Sequence, residues 1–157
     1  MRMDGSHGPR VSPIRDRFGL LLKHARERLA SLSAPALEPF GITGRELAVL
    51  TAVAEGSPPS QLEAAQRLAI DRTTMVTLID SLEAKGLVER RPDAADRRRN
   101  IVALTAEGER CLVEASKATD EAEGAFLAPL AASERDRLRE MLQVLIENSE
   151  APADGQR

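Results

Sequence analysis

Aromatic residues are almost absent from this 157-residue chain, which has three phenylalanines and neither tryptophan nor tyrosine. Its core must therefore consist mostly of Leu, Ile, Val and Ala, which suits the packing of helices. A single cysteine excludes an internal disulfide. No apolar run is long enough to cross a bilayer, and the first residues lack the apolar stretch of a signal peptide. We therefore expect a cytoplasmic protein with no membrane partner.

Residue patterns that carry catalysis are also lacking. The sequence contains no glycine-rich phosphate loop, no nucleophile elbow and no paired carboxylates in a recognisable frame. His7 and His24 have no Cys, Asp or Glu at the spacing of metal ligands. We expect no enzyme activity, no metal and no cofactor. His24 falls on the first predicted helix, either as a surface or interface residue or as a contact for a small molecule.

What the chain does contain is the composition of one folded domain, with 42% hydrophobic and 30% charged residues. Residues 1–11 are rich in Gly, Pro and charge, and we expect them to be loose, like the polar tail 151–157. The segment 12–40 reads as a helix that opens with a Ser12 cap and is closed by Pro35, Pro39 and Gly41. Apolar residues at steps of three and four give this helix one apolar face: Ile14, Phe18, Leu21, Leu22, Ala25, Leu29 and Leu32.

Three helix starts follow in quick succession. Thr43 with Glu46 and Ser60 with Glu63 have the spacing of capping boxes, in which each side chain binds the other residue's backbone N–H. Asp71 is a suitable cap for a third helix. About two residues, Ala69 and Ile70, separate the second helix from the third, and this tight connection predicts a helix-turn-helix. The apolar positions of these helices are Leu47, Leu50, Val53, Leu62, Ala65, Leu68, Met75, Val76, Ile79 and Leu82.

A basic β-hairpin is predicted directly after the third helix, which ends at Gly86. In its second strand, Ile101 and Ala103 alternate with Val102 and Leu104. Six Lys/Arg against three Asp/Glu give residues 85–99 a net charge of +3, in a chain whose net charge is −3. Positive charge is thus concentrated where a polyanion would be met, and a helix followed by a basic hairpin is the order of a winged helix-turn-helix.

Amphipathic helices are also predicted on the C-terminal side, from Thr105 to a break at Pro129 and from Ser133 onward. Together with the first helix they carry more apolar surface than a small winged domain needs. We expect two copies of the chain to bury that surface in a homodimer. The predicted fold is mainly α with a small β-hairpin wing, in which residues 41–105 form the winged helix-turn-helix and 12–40 and 106–150 form dimerisation helices.

The winged region resembles the MarR (multiple antibiotic resistance regulator) family, from about Gly41 to Gly108, and the flanking helices match in length and order. Four family motifs carry the resemblance: D-R-[ST]-[ST], D-x-L-E-x-x-G-L-V-x-R, D-x-x-D-x-R and L-T-x-x-G. In this chain they stand at Asp71–Thr74, Asp80–Arg90, Asp93–Arg98 and Leu104–Gly108.

The resemblance implies a homodimer that binds a pseudo-palindromic double-stranded DNA operator and usually represses. It also implies release of the DNA by a small molecule, often a phenolic or other lipophilic compound. This chain has Thr77 where many members carry a basic or amide residue, which leaves the operator sequence open. Urate-responsive members use a tryptophan in their ligand site, and this chain has none.

The predicted DNA-binding residues lie on three segments. Arg72, Thr73, Thr74 and Thr77 would face the major groove, and Arg97 would enter the minor groove. The N–H groups around Ser60 and Gln61 would hold a phosphate, although service as a cap alone is an equal alternative. The resemblance implies that Asp96 braces the wing through an ion pair with arginine. The remaining predicted DNA contacts are Arg90, Arg98 and Arg99.

Plainer alternatives accompany these predictions. The arginines of the tip can be a solvated charge run, and the threonines an ordinary polar helix face. Cys111 lies at the start of a long helix, as a small buried residue or as a redox-active thiol. The whole chain can be a winged-helix module that binds proteins, or a DNA-binding dimer without an effector. The intact basic tip together with Arg72 favours DNA.

Overall fold

The protein is described from a computed structural model that covers Pro13 and residues 17–147. The loose N-terminus, the Ser12 cap and the polar tail were predicted on residues that lie outside this described part. Within it, six α-helices and two β-strands follow one another as α1 Phe18–Leu37, α2 Gly44–Ala54, α3 Gln61–Arg67, α4 Arg72–Ala84, β1 Val88–Pro92, β2 Asn100–Leu104, α5 Ala106–Leu127 and α6 Ala132–Glu147. This mainly helical fold with a small hairpin confirms the predicted fold class.

The first helix ends inside the predicted segment 12–40, among the three residues that were predicted to close it. Pro35, Pro39 and Gly41 were predicted to close it together. Pro35 lies inside α1, which continues to Leu37 and passes into a 3-10 turn over Glu38–Phe40 that contains Pro39. The chain turns away at Gly41, whose φ of 63° lies in the left-handed region that glycine adopts without strain. The stop signal is therefore the glycine rather than the first proline.

All three predicted caps of the winged region are present. Thr43 and Glu46 bond each other's backbone N–H groups, and Ser60 and Glu63 do the same. The Asp71 carboxylate accepts the Thr74 N–H at the start of α4. Between the C-cap of α3 at Leu68 and the N-cap of α4 at Asp71 lie Ala69 and Ile70, the two residues predicted for this connection.

The core lies between α2, α4, the hairpin and the first half of α5. Leu50, Met75, Ile79 and Leu82 are fully buried there, as their helical spacing predicted. The prediction for Leu62 was wrong, because it was placed on the apolar face of α3 and its side chain is 57% exposed. A helix of seven residues turns only one narrow face to the core, and Ala64 and Ala65 occupy it.

The hairpin pairs β1 with β2 in antiparallel register, with Val88 opposite Leu104 and Pro92 opposite Asn100. The alternation predicted for β2 does not hold, because Ile101, Val102 and Ala103 are all buried. Other segments of the same chain, α2, α3 and α5, pack against β2 and cover both of its faces at this point. The Val102 N–H also donates to the Pro59 carbonyl, at 2.8 Å. That bond attaches the wing to the segment just before α3.

A buried carboxylate connects the start of α2 to the end of α4. Glu46 is 3% exposed and accepts hydrogen bonds from the Thr43 N–H (2.8 Å), the Ser81 hydroxyl (2.7 Å) and the Lys85 ammonium (2.6 Å). Burial acts most strongly and raises the pKa, but the bonds from Lys85, Ser81 and Thr43 outweigh it and leave the pKa of Glu46 lowered. The charged carboxylate therefore stabilises the folded protein.

A glycine permits the close approach of α5 to the hairpin. An added Cβ at Gly108 would lie 1.9 Å from the Leu87 carbonyl oxygen. That oxygen accepts the Thr105 N–H at 3.1 Å, and the Thr105 hydroxyl in turn caps α5 by accepting the Gly108 N–H. The family motif L-T-x-x-G therefore has a packing reason at its last position.

The flanking helices differ in how much they bury within one chain. α1 packs along α5, yet its first half exposes Phe18, Leu21 and Leu22. α6 has no buried residue. It begins one residue earlier than predicted, and Glu134 accepts the Ala131 N–H at its start. In the described part of the chain, no helix has the length and apolar character needed to span a bilayer.

We expect Gly108→Ala to destabilise the fold by about 3 kcal/mol, because the new methyl group would overlap the Leu87 carbonyl oxygen, which cannot move without losing the hydrogen bond from the Thr105 N–H. Urea denaturation followed by circular dichroism measures this loss. Gly124→Ala is the matched control on the same helix, where no atom lies within 4 Å of the added Cβ. It should be neutral or stabilising by up to about 1 kcal/mol. Equal effects of the two variants would contradict the account of Gly108.

We expect Glu46→Gln to cost roughly 2 kcal/mol of unfolding free energy at pH 7, because it removes the charge that Lys85, Ser81 and the Thr43 N–H surround. Since folding lowers the pKa of Glu46, its contribution is complete above the ordinary value of 4.5 and disappears as pH falls through the lowered value. Urea denaturation of both proteins between pH 3 and 7 tests this. The difference between them should shrink toward low pH, and a constant difference would contradict the assignment.

Candidate nucleic-acid interface

Helix α4 presents the side chains predicted to face the major groove. Arg72, Thr73 and Thr77 are exposed, and Thr74 is half-buried. Two of the hydroxyls already have partners, since Thr74 donates to the Asp71 carboxylate at 2.6 Å and Thr77 donates to the Thr73 carbonyl at 3.1 Å. The bonds from the Thr74 side chain and backbone lower the pKa of Asp71, which keeps this cap charged. Both threonines retain lone pairs and methyl groups for contacts with DNA.

The start of α3 serves first as a cap. Ser60 accepts the Glu63 N–H at 3.3 Å, and Glu63 accepts the Ser60 N–H at 2.7 Å. The side chain of Gln61 lies beside Arg90, and with its amide oriented to match this neighbour its oxygen accepts a hydrogen bond from Arg90 Nε. The structure thus assigns capping to Ser60. A phosphate contact at Ser60 or Gln61 stays a prediction.

The tip of the wing is held by its two aspartates. Asp93 accepts the Ala95 N–H at 2.9 Å, and Asp96 accepts the Arg98 N–H at 3.0 Å. The backbone closes the loop, because the Asp93 N–H donates to the Arg99 carbonyl at 2.8 Å. Asp96 therefore braces the wing through backbone bonds. Within residues 17–147 no salt bridge joins Asp96 to an arginine, and the ion pair that the resemblance implied stays a prediction.

The predicted arginines fall into two groups. Arg72, Arg97 and Arg98 are exposed and form no salt bridge within residues 17–147. Arg90 and Arg99, by contrast, are already paired with carboxylates of the same chain. The predicted arginines are therefore not equivalent, and the guanidinium groups of Arg72, Arg97 and Arg98 remain available to an external anion.

Arg90 joins the wing to both helices of the helix-turn-helix. It forms salt bridges with Asp80 and Glu83 of α4, and its backbone N–H also donates to Glu83, at 3.2 Å. With Gln61 of α3 on its Nε, most of the donors of this guanidinium are engaged. Arg90 acts as an internal brace in this structure, and the DNA contact predicted for it stays a prediction.

Arg99 forms a salt bridge with Glu63, the residue whose carboxylate also caps α3. The backbone bond from Ser60, followed by the bond from Arg99, lowers the pKa of Glu63 to about 2. The same pairing raises the pKa of Arg99. Sequence reasoning identified Glu63 as half of a capping box but gave no indication of this second partner, because the two residues are far apart along the chain.

These segments converge on one open groove between α3, the start of α4 and the start of β2. Exposed Leu62 and the Arg72 side chain belong to its lining, which sequence reasoning had assigned to different surfaces. The lining residues are Ser60, Gln61, Leu62, Arg72, Arg90, Asn100, Ile101 and Val102. One continuous surface thus carries α4, the recognition helix predicted to face the major groove, together with the start of α3 and the wing.

Comparison with known proteins identifies the family. A sequence model of the MarR family matches residues 40–99. The transcriptional regulator HosA of Escherichia coli is 31% identical over 105 residues, which are 67% of this chain and 78% of HosA. The chain belongs to the MarR family.

Further MarR-family relatives cover more of the chain. The HTH-type transcriptional repressor NicR of Pseudomonas putida is 29% identical over 138 residues, which are 87% of each protein. The crystal structure of CouR from Rhodococcus jostii RHA1 bound to p-coumaroyl-CoA has a TM-score of 0.77 at 29% identity, and covers 86% of this chain and 95% of CouR. This chain is thus a DNA-binding transcriptional regulator of the MarR family, not an enzyme.

The remaining candidates contribute no second site in the described residues. Cys111 is buried, and burial together with Glu107 and Glu114 raises its pKa, which opposes formation of a reactive thiolate. His24 is exposed on α1. No group of three His, Cys, Asp or Glu side chains in residues 17–147 has the arrangement of a metal site.

We expect Arg90→Lys to loosen the wing, because Asp80, Glu83 and Gln61 lie against different nitrogens of the planar guanidinium, and one compact ammonium lacks that fork. The cost in unfolding free energy should be about 1 kcal/mol, since all three partners are partly exposed. Amide hydrogen exchange of β1 and β2 should be faster than in the original protein. Arg91→Lys on the same strand is the control, as Arg91 pairs only with Glu89, at 3.7 Å. Unchanged exchange in Arg90→Lys would mean that the brace is dispensable.

Proposed function

We propose that this protein is a cytoplasmic homodimer that binds a pseudo-palindromic operator, represses transcription there and is released by a small-molecule effector. The observation that carries the DNA-binding part is the ordered basic tip beside the recognition helix. Two aspartates fix the backbone of that tip, while Arg97 and Arg98 form no salt bridge in the described residues. A protein-binding wing has no need of such a tip.

The proposed contacts follow from where each side chain lies. Arg72 at the first turn of α4 would reach a base edge in the major groove, and Thr73, Thr74 and Thr77 would contact phosphates or thymine methyl groups. Arg97 would enter the adjacent minor groove, where a narrow A·T-rich sequence concentrates negative potential. Arg98 would meet the phosphate backbone beside it.

The exposed apolar faces support the homodimer. Phe18, 62% exposed, lies with Leu21 and Leu22 on the first half of α1, and Met141, Leu145 and Ile146 are exposed on α6. Single apolar residues on a surface are ordinary, but two helices that both expose large side chains indicate a contact with another chain. A second copy would bury them and place the two recognition helices about one DNA turn apart, roughly 34 Å.

The effector part of the proposal is supported by the relatives. CouR was crystallised with p-coumaroyl-CoA, and NicR is a repressor. For this chain we propose a small lipophilic or phenolic effector that favours a different spacing of the recognition helices. Because such coupling is reciprocal, the operator should weaken binding of the effector by the same factor.

Fluorescence anisotropy with duplex DNA from upstream of the protein's own gene tests the proposal, with a scrambled duplex for comparison and sedimentation to count protomers. We expect selective binding by two protomers per site, with an affinity that falls steeply as salt rises. Equal and weak binding of both duplexes would contradict a regulator of its own gene. A monomer on DNA would contradict the dimer.

We expect Arg97→Ala to lower the affinity for the upstream duplex roughly tenfold and to reduce the slope of log K against log salt by about 1 per protomer. The same titration measures both quantities. Arg110→Ala is the control, since Arg110 is an exposed arginine on α5 that pairs with Glu107, away from the wing. Affinity and slope that match the control would mean that the tip does not touch DNA.

A further inference from the structure

Arg99 differs from the two arginines before it in the wing because it forms a salt bridge with Glu63. Arg97 and Arg98 point into solvent, but the guanidinium of Arg99 lies against a carboxylate of α3. We propose that Glu63 withholds Arg99 from DNA and thereby limits the charge-driven binding of DNA of any sequence. This inference rests on the proposed DNA-binding function and adds a residue that restrains it.

The geometry holds the two side chains together. Glu63 is fixed on the first turn of α3, because its carboxylate also accepts the Ser60 N–H at 2.7 Å. Arg99 directly precedes β2, which the Val102–Pro59 bond attaches to the segment before α3. The separation of the pair is therefore set by the backbone at both ends, and the wing brings Arg99 to Glu63 whenever β2 is in place.

The position of the pair decides what it does. Both side chains are 42% exposed, beside the groove that joins the start of α3 to the recognition helix. Exposed pairs contribute little to stability. A carboxylate at this place instead neutralises one guanidinium on the face that would meet phosphates. Because the Ser60 N–H and Arg99 keep the pKa of Glu63 near 2, that neutralisation persists throughout the physiological range of pH.

The alternative role of the pair makes the opposite prediction. If the bridge only positions the wing, breaking it should disorder Arg99 and weaken DNA binding. If it withholds Arg99, breaking it should strengthen binding to every duplex, since a released arginine adds a phosphate contact and frees counter-ions. The sign of the change in affinity therefore distinguishes withholding from positioning.

The test compares Glu63→Gln with the original protein on the upstream and the scrambled duplex across a range of salt. Gln retains the side-chain oxygen that accepts the Ser60 N–H, so the α3 cap survives while the charge is lost. We expect the slope of log K against log salt to become steeper by about 0.9 per protomer, and affinity for the scrambled duplex to rise roughly tenfold at 50 mM salt. The upstream duplex should gain by a similar factor, because the released charge reads no base.

Two further variants control the experiment. Glu107→Gln releases Arg110 from a similar exposed pair on α5 and should leave both duplexes unaffected. The double variant Glu63→Gln with Arg99→Gln should return the salt slope to the original value. Weaker binding by Glu63→Gln, or a gain that survives removal of Arg99, would overturn the proposal. A gain confined to the upstream duplex would also overturn it, because Arg99 would then read sequence. If the original protein binds neither duplex, the proposed function itself has failed.

Discussion

The orientation of the recognition helix depends on one buried carboxylate. One carboxylate oxygen of Glu46 accepts the Thr43 N–H at the start of α2. The other accepts hydrogen bonds from Ser81 and Lys85, near the end of α4. A buried charge is unfavourable unless it is paired and hydrogen-bonded, and here a backbone N–H, a hydroxyl and an ammonium donate to both oxygens. Apolar packing brings α2 and α4 together, but side chains of Leu, Ile and Met tolerate small rotations. The directional bonds of Glu46 select one of them.

The wing is placed by the same combination of fixed backbone and charge. Val102 bonds the chain before α3, Thr105 bonds Leu87, and Arg90 spans from β1 to both helices. The hairpin is thus joined to each of its neighbours by at least one directional bond, whereas two isolated strands are barely stable in water. The arginines of the tip that are unpaired in the described residues extend from a hairpin whose backbone is already fixed, so little backbone conformational entropy is lost when they bind a ligand.

Local chemistry was predictable from the sequence, and the choice of distant partners was not. The caps at Thr43, Ser60 and Asp71 involve residues three positions apart, and all were recognised. The pairs Glu63–Arg99 and Glu46–Lys85 join residues whose proximity exists only after folding, so no spacing along the chain announces them. Leu62 was misplaced for a related reason, because a short helix has too few positions to show which face is buried.

The lone thiol gives the protein a practical property. Cys111 is the only cysteine in the chain, and it is buried with a raised pKa. Maleimides and other sulfhydryl labels are electrophiles that react with the thiolate form, so the native residue is a poor target while the fold is intact. A cysteine introduced at an exposed position of the wing would then be the principal site of labelling. Spin labels or fluorophores attached there would report the separation of the two wings in the proposed homodimer, in solution and without a cysteine-free background.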